Sequence, residues 1–466
     1  MAHGEDSVLS ELQGIVGTGR VLTDEESLRA YGRDWTRVYT PSPMAVVLPG
    51  TVDEVQALVR LAARRSLAIV PSGGRTGLSA AAVACNGELV LALDRLNQIE
   101  DFDPVDRTVR CGAGVVTKTL QQYALERDLF YPVDFAASGS SQIGGNISTN
   151  AGGIKVIRHG MTRDWVAGLK LVTGTGELLD LNRGLLKNNA GYDLRQLVIG
   201  AEGTLGVVVE ATMRLCRPPQ NPAVLVLGVP NLTAIVSVLA AFQRAMTLSA
   251  FEFFSELALQ KVVQHQGLQR PFDTAAQYYA LLEFEQPDGA ALQQAMTVFE
   301  QCLEQGWVVD GVVSQSSAQA AALWRLRESI SETLSQWTPY KNDLSTVVSR
   351  LPAFLAEVDA VVSANYPEFE IVWFGHIGDG NVHLNVLKPD DLAVEEFQRR
   401  CGEVSRWVFE VVQRYGGSVS AEHGVGLLKK GYLQYCRSES EIAIMRQVKA
   451  AFDPLGIMNP GKIFDS

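Results

Sequence analysis

The sequence predicts an α+β protein of more than one domain, and three observations carry that expectation. At 466 residues the chain exceeds the length at which one hydrophobic core stops growing. Its first half places glycine-rich loops directly after short apolar strands. Beyond Pro218-Pro219 the pattern changes to an alternation of strands and helices. With 47% hydrophobic and 20% charged residues the composition is globular, so both halves are expected to fold.

The elements follow in order. "MAVVLPG" reads as a strand stopped by Pro-Gly, and "TVDEVQALVRLAARRS" as a helix with a Thr cap and apolar residues at helical spacing. "LAIVPSGG" is a buried-type strand running into glycines. "ELVLALDRL" and "TVRCGAGVV" are further strands, and a second glycine-rich region covers 137–153. "GLKLVTGTGELLDL" predicts a β-hairpin, and "GTLGVVVEATMRLCRPP" a strand that ends the first domain. From about 222, "AVLVLGVPN", a helix near 231–245, "ALLEFEQP", a helix near 289–305 and "WVVDGVVS" build an α+β layer. A helix near 318–337 comes next, with Leu326, Ile330 and Leu334 as its buried stripe and Arg327 and Ser331 on the neighbouring face. From 392 the chain is mostly helical. The expected domains are 1–219, 220–425 and 426–466.

A formal net charge of −12 makes nucleic acid an unsuitable partner, and any anionic substrate must be met by locally placed Arg or Lys. The six cysteines are scattered without a Cys-x-x-Cys pair. That disfavours a disulfide scaffold, a zinc ribbon or an iron–sulfur site and suits a reducing compartment. The opening "MAHGEDSVLSELQG" lacks the apolar core of a secretory signal, and no run of about 18 apolar residues predicts a membrane span. The expected location is the cytoplasm.

Two kinds of segment suggest chemistry. "PSGGRTGLSAAA", "ASGSSQIGGNISTNAGG" and "IGAEGTLGVV" are rich in small residues whose backbone N–H groups can turn toward a phosphate. "GAGVVT" lacks the third glycine of a dinucleotide fingerprint and no P-loop occurs, so neither a NAD-type Rossmann domain nor a P-loop ATPase is expected. The second kind is "WFGHIGDGNVHLNV". With Asp379-Gly380 as a two-residue turn, His376 faces His383 and strand alternation puts Asn385 on the face of His383. Opposed Cβ atoms lie about 4.5–5.5 Å apart, so the patch suits a metal or a polar ligand. A wet sheet edge carrying two histidines is the plainer alternative.

"PSGGRTGL", "GSSQIGGNISTNAGG", "EGTLGVV" and "DPLGIMNPGK" resemble the FAD domain of the vanillyl-alcohol oxidase / p-cresol methylhydroxylase flavoproteins. "GHIGDGNVHLNV" and "AEHGVG" resemble the D-2-hydroxyacid dehydrogenase branch of that superfamily. The resemblance runs in order over nearly the whole chain after residue 30. It implies a two-subdomain FAD-binding domain, an α+β substrate and metal domain with an antiparallel sheet, and a C-terminal helical segment returning to the flavin. It places FAD on Pro71, Gly73, Gly74, Arg75, Thr76 and Gly77 in the first loop, and on Ser138, Gly139, Ser141, Gly144, Gly145 and Asn146 in the second. Thr149, Asn150 and Gly153 extend that second loop; Glu202, Gly206 and Val207 lie toward the adenine half, and Asn459 near the flavin. Members of the branch usually carry Cys where Ser141 stands and Tyr where His159 stands. With Arg75 and Ser141 at the loop positions, FAD is expected to be held without a covalent bond.

The same resemblance implies zinc, or another divalent metal, on His376, His383 and Glu422. Such a ligand set leaves an open position for substrate, as in catalytic zinc sites. His423 is cast as the base that takes the hydroxyl proton. Glu422 and His423 can serve one site only if the backbone turns beside them, which Gly424 permits. "RESISETL" and "YKNDLS" resemble the D-2-hydroxyglutarate version of the segment. Arg327, Ser331 and Lys341 then hold substrate carboxylate, and Asn385 orients the substrate. The expected reaction is oxidation of D-2-hydroxyglutarate to 2-oxoglutarate by hydride transfer to flavin N5, with D-malate as a second substrate. An electron acceptor not named by the sequence and a homodimer complete the expectation. The rival readings are a D-lactate or glycolate dehydrogenase, a non-catalytic flavin-binding subunit, and a zinc hydrolase, which leaves the glycine loops without a purpose.

Overall fold

The computed structural model describes residues 2–36 and 38–465. It divides into two compact units. The first comprises the chain up to Gly152, Met161–Pro218 and the segment from Glu422 onward; the second comprises Gly153–Gly160 and Pro219–Ala421. The C-terminal part of the first unit therefore begins at Glu422 rather than at 426, and Gly153 opens a segment that belongs with the second unit.

The first unit holds two sheets. In one, Ala45–Val47 and Ile69–Ser72 flank Leu89–Ala92 in parallel, with Val21–Leu22 antiparallel at one edge. The helix Val52–Arg65 crosses between two of these strands. Thr51 caps it, its hydroxyl accepting the Glu54 N–H at 3.2 Å, and Val55, Leu58, Val59, Leu61 and Ala62 form its buried face. Each fully buried Val or Leu side chain stabilises the packing by roughly 1.5–3 kcal/mol. Main-chain bonds from the far end of the chain complete the Ile69–Ser72 strand. Ile69 bridges Met458, and the Asn459 N–H donates to the Ile69 carbonyl at 2.7 Å. The other sheet is antiparallel, in the order Ile99–Asp103, Thr108–Gly112, Val207–Arg214, Val166–Val172, Leu178–Leu181, and it contains the expected 166–181 hairpin.

The second unit is built on one seven-stranded antiparallel sheet. Its order is Asp310–Val313, Pro222–Val229, Tyr278–Glu285, Leu248–Ser255, Ile371–Gly375, Asn381–Val386, Tyr340–Ser345. Two of these strands, Leu248–Ser255 and Tyr340–Ser345, were not anticipated as strands. "LSAFEFFS" is buried along its whole length, so it shows no alternation for the eye to find. The helix Ser317–Glu328 breaks at Ser329 into the short helix Ile330–Leu334. Leu326, Ile330 and Leu334 pack into one cluster with Phe254, Val372 and Phe374, as the stripe predicts. That packing fixes where Arg327 points.

Candidate active site

The first unit brings the expected flavin loops together. A Cβ on Gly74 would lie 2.2 Å from the Ser140 carbonyl oxygen and 2.8 Å from the Ser141 Cα, so the loops at 73–77 and 138–145 touch where only glycine fits. Among the described residues, nothing beyond the adjoining chain and its own helix lies within 4 Å of a Cβ built on Gly139 or Gly145, so the backbone has open space on that side. Gly144 packs against Ala113, where a Cβ would approach to 2.6 Å. Beneath the loops Ser141 is buried. Its hydroxyl pairs with that of Thr117 at 2.7 Å, and the Asn146 amide donates to the same Thr117 oxygen at 2.7 Å. Among the described residues, two buried acceptors, Gln142 Oε1 and Asn459 Oδ1, have no hydrogen-bond partner. Open glycine backbone and orphaned buried acceptors are features of a cradle for a polar, phosphate-bearing cofactor, so the residues present fit FAD.

Several expected cofactor residues have other work. Arg75 turns its guanidinium to Asp94 at 2.9 and 3.2 Å and to the Gly73 carbonyl at 2.7 Å, which makes it a staple of the loop. The Thr149 hydroxyl donates to the Gly145 carbonyl, and the Asn150 side chain accepts the Arg163 N–H. Gly206 precedes the strand Val207–Arg214, and a Cβ on it would meet the Val172 carbonyl at 2.5 Å. Pro71 packs beneath Gly203, and the Ser138 carbonyl accepts the Lys118 N–H. Thr76 and Gly77 continue the first loop. Asn459 holds a left-handed conformation, φ 45°, while its amide donates to the carbonyls of Ala81 and Glu202.

Glu202 uses its side chain within the first unit. Its carboxylate accepts the N–H groups of Val425 and Gly426, each at 2.7 Å. Burial pushes its pKa up to about 7, against the opposing pull of these two donors. Its side chain therefore holds the turn that follows His423. At Gly424 the backbone reverses with φ 81°, and His423 Nε2 comes within 3.7 Å of Glu422 Oε1 although the two residues are chain neighbours. The turn required for both side chains to serve one site is present.

In the second unit the hairpin register differs from the expected one. Phe374, not His376, stands opposite His383, and Val372 opposite Asn385. The strand ends at Gly375, so Asp379-Gly380 is part of a longer loop rather than a two-residue turn. The loop folds back: the His376 carbonyl accepts the N–H groups of Asp379 and Asn381, and the Gly378 N–H donates to the Phe251 carbonyl. His376 thereby returns to His383 with ring centroids 5.3 Å apart and planes nearly perpendicular. The longer loop reaches the convergence that the tight turn was expected to give.

The registers define one face of the sheet. Asp343 pairs with His383 and Lys341 with Asn385 on one side, and Phe254 pairs with Phe374 on the other. Directly paired and alternate residues share a face, so Glu252, Phe254, Phe374, His383, Asn385, Asp343 and Lys341 all lie on it. Lys341 donates to the Ser331 hydroxyl at 3.2 Å, and loss of water around its ammonium lowers its pKa. Arg327 is buried, with its guanidinium 4.8 Å above the Phe374 ring and one Nη 2.8 Å from Glu252. The other Glu252 oxygen lies 2.9 Å from His376 Nδ1. Glu252 and Asp343 were missed by the sequence reading. The only signal for Glu252 was one acidic residue inside the apolar run "LSAFEFFS".

Ser418 and Ser420 bridge to Ser345 and Asp343, which carries the chain along the edge of this sheet to the next residues. His376 and His383 bring two imidazoles together within the second unit, a pair that suits a divalent metal once a carboxylate joins it; Glu422, the expected carboxylate, opens the C-terminal segment of the first unit. Among the described residues no helix is long and apolar enough to cross a membrane.

Comparison with known proteins gives two family matches. Residues 43–182 match the FAD binding domain and residues 218–463 match the C-terminal domain of FAD linked oxidases. A D-2-hydroxyglutarate dehydrogenase of Stutzerimonas stutzeri is 60% identical over 460 residues, covering 99% of both chains. The mitochondrial D-2-hydroxyglutarate dehydrogenase of Rattus norvegicus is 37% identical, covering 95% of this chain and 82% of its own. Among solved structures, p-cresol methylhydroxylase matches with TM-score 0.76 at 14% identity, covering 99% of this chain and 97% of its own. A 4-ethylphenol oxidase from Gulosibacter chungangensis matches with TM-score 0.77 at 16% identity, covering all of this chain and 98% of its own. At such identities these two structures establish the fold alone.

Proposed function

Because the chain belongs to the family of FAD-linked oxidases, we propose that it oxidises D-2-hydroxyglutarate to 2-oxoglutarate, with D-malate as a second substrate. The observation that carries this reading is the single sheet face bearing His383, Asn385 and Lys341, with the Ser331 hydroxyl on Lys341 and Arg327 above Phe374. Its full-length likeness to D-2-hydroxyglutarate dehydrogenases supports the choice of a dicarboxylate.

His376, His383 and Glu422 would hold a zinc ion or another divalent metal. Bound FAD supplies the acceptor of the C2 hydride, and the metal supplies Lewis acidity toward the substrate oxygens. Arg327 and Lys341 bind the carboxylates, Arg327 through its fork of N–H donors and Lys341 as a compact charge. The Ser331 hydroxyl adds a donor, and Asn385 orients the C2 end. His423 Nε2 takes the hydroxyl proton as the hydride leaves, a task suited to an imidazole because its ordinary pKa lies near neutral pH.

The test is anaerobic. The yellow protein is mixed separately with D-2-hydroxyglutarate, L-2-hydroxyglutarate, D-malate and D-lactate, and the flavin band is followed. Fast bleaching by D-2-hydroxyglutarate, slower bleaching by D-malate, and loss of both after chelation are expected. Bleaching chiefly by D-lactate would move the enzyme to monocarboxylates and overturn the reading.

A further inference from the structure

We propose that Glu252 is a positioning residue that couples the metal ligand to the substrate-binding arginine, giving one carboxylate oxygen to each. The inference rests on the roles given above to His376 and Arg327 and adds a residue that neither role requires. Glu252 sits in the wholly buried strand Leu248–Ser255, with its side chain 1% exposed. An ionised carboxylate in such a place is costly unless charged or hydrogen-bonding partners surround it. The partners present are both functional groups. Oε1 faces His376 Nδ1 at 2.9 Å, and Oε2 faces an Arg327 Nη at 2.8 Å.

Each contact has a chemical consequence. A carboxylate at Nδ1 holds the proton on that nitrogen and leaves Nε2 as the lone-pair donor, the form in which imidazole binds a metal. The contact with Arg327 is an ion pair without the alignment of a good hydrogen bond, and the Arg327 Nε is buried with no hydrogen-bond partner among the described residues. Arg327 is thus tethered at one corner, laid over Phe374, and left with unspent donors for a carboxylate. Because the two tethers share one side chain, metal binding and substrate binding favour each other, and the linkage is reciprocal.

Two substitutions separate the halves. In Glu252→Gln the amide oxygen can still accept the Nδ1 proton, but the amide nitrogen cannot pair with Arg327. In Glu252→Ala both contacts go. With the FAD-loaded protein, zinc affinity is read by competition with a chromogenic chelator, and the KM and kcat for D-2-hydroxyglutarate are read separately. Glu252→Ala should weaken zinc by about 10- to 100-fold. Glu252→Gln should hold zinc within about threefold of wild type while the KM rises about tenfold or more, the scale of a lost charge-assisted contact. A structural role alone would lower stability without this split. Wild-type zinc affinity in Glu252→Ala, or an unchanged KM in Glu252→Gln, overturns the proposal. A wild-type protein that binds no divalent metal instead removes the metal half and the metal reading together. If Glu252→Ala does not fold, the near-isosteric Glu252→Gln decides by the same split.

Discussion

Gly74 and Gly145 lie in the same pair of touching loops, yet alanine at the two positions should have opposite consequences. At Gly74 the added Cβ would sit 2.2 Å from the Ser140 carbonyl oxygen, so the loops must part by roughly 1 Å to restore ordinary contact. Overpacking of this kind costs about 1–3 kcal/mol, and Gly74→Ala should lose stability by that amount even without FAD. At Gly145, within the helix Ile143–Thr149, nothing among the described residues beyond the helix's own backbone lies within 4 Å of the new Cβ. Alanine in a helix interior is favoured over glycine by about 1 kcal/mol, so the apoprotein of Gly145→Ala should be as stable as wild type or slightly more so. The methyl would stand in the open space assigned to the cofactor, and FAD affinity should fall tenfold or more, about 1.4 kcal/mol. Denaturant unfolding of the two apoproteins gives the stabilities, and quenching of flavin fluorescence on titration gives the affinities. A Gly145→Ala protein that binds FAD like wild type would refute the placement of the cofactor over this loop.

Three further outcomes are expected. His423→Ala should keep FAD bound, seen in an unchanged flavin spectrum, while anaerobic flavin reduction by D-2-hydroxyglutarate disappears; substantial remaining turnover would remove its role as base. Lys341→Ala should weaken D-2-hydroxyglutarate and D-malate by about 10- to 100-fold in kcat/KM, from roughly 1.5–3 kcal/mol for a charged contact, and affect D-lactate far less; equal losses would reject the carboxylate role. Glu202 binds more protons in the folded than in the unfolded chain between its ordinary pKa of 4.5 and about 7, so its ionisation makes stability fall as pH rises through that window, by about 3 kcal/mol at most. Denaturation of wild type and Glu202→Gln at pH 5 and 8 should therefore show the smaller loss in the variant, and parallel losses would contradict the burial of its charge.

Local chemistry made much of this protein legible. The Thr51 cap and the Leu326, Ile330, Leu334 stripe act over a few residues, and each is where the pattern puts it. The face shared by His383, Asn385 and Lys341 followed from strand alternation for the first pair, but Lys341 needed the pairing of strands that lie more than forty residues apart in the chain. The hairpin register failed because Asp-Gly favours a tight turn locally, whereas Gly378 binds the Phe251 carbonyl and enlarges the loop. Glu252 was invisible for a related reason: a single carboxylate in a buried strand has meaning only when its partners, from two other segments, are known. The contact of the Glu202 carboxylate with a turn more than two hundred residues away was likewise out of reach of local pattern.

The bridge between Ile69 and Met458 has a consequence for biosynthesis. The strand Ile69–Ser72 is made early but lacks this neighbour until Met458 has followed it. All seven strands of the second unit lie between Pro222 and Val386, so that unit can complete its sheet while the first still waits. Closing contacts across such a span is slow, and domains tend to fold as units while the ribosome advances at about 5–20 residues per second. The strand that leads into the first flavin loop therefore gains its last neighbour only after every strand of the second unit has been made.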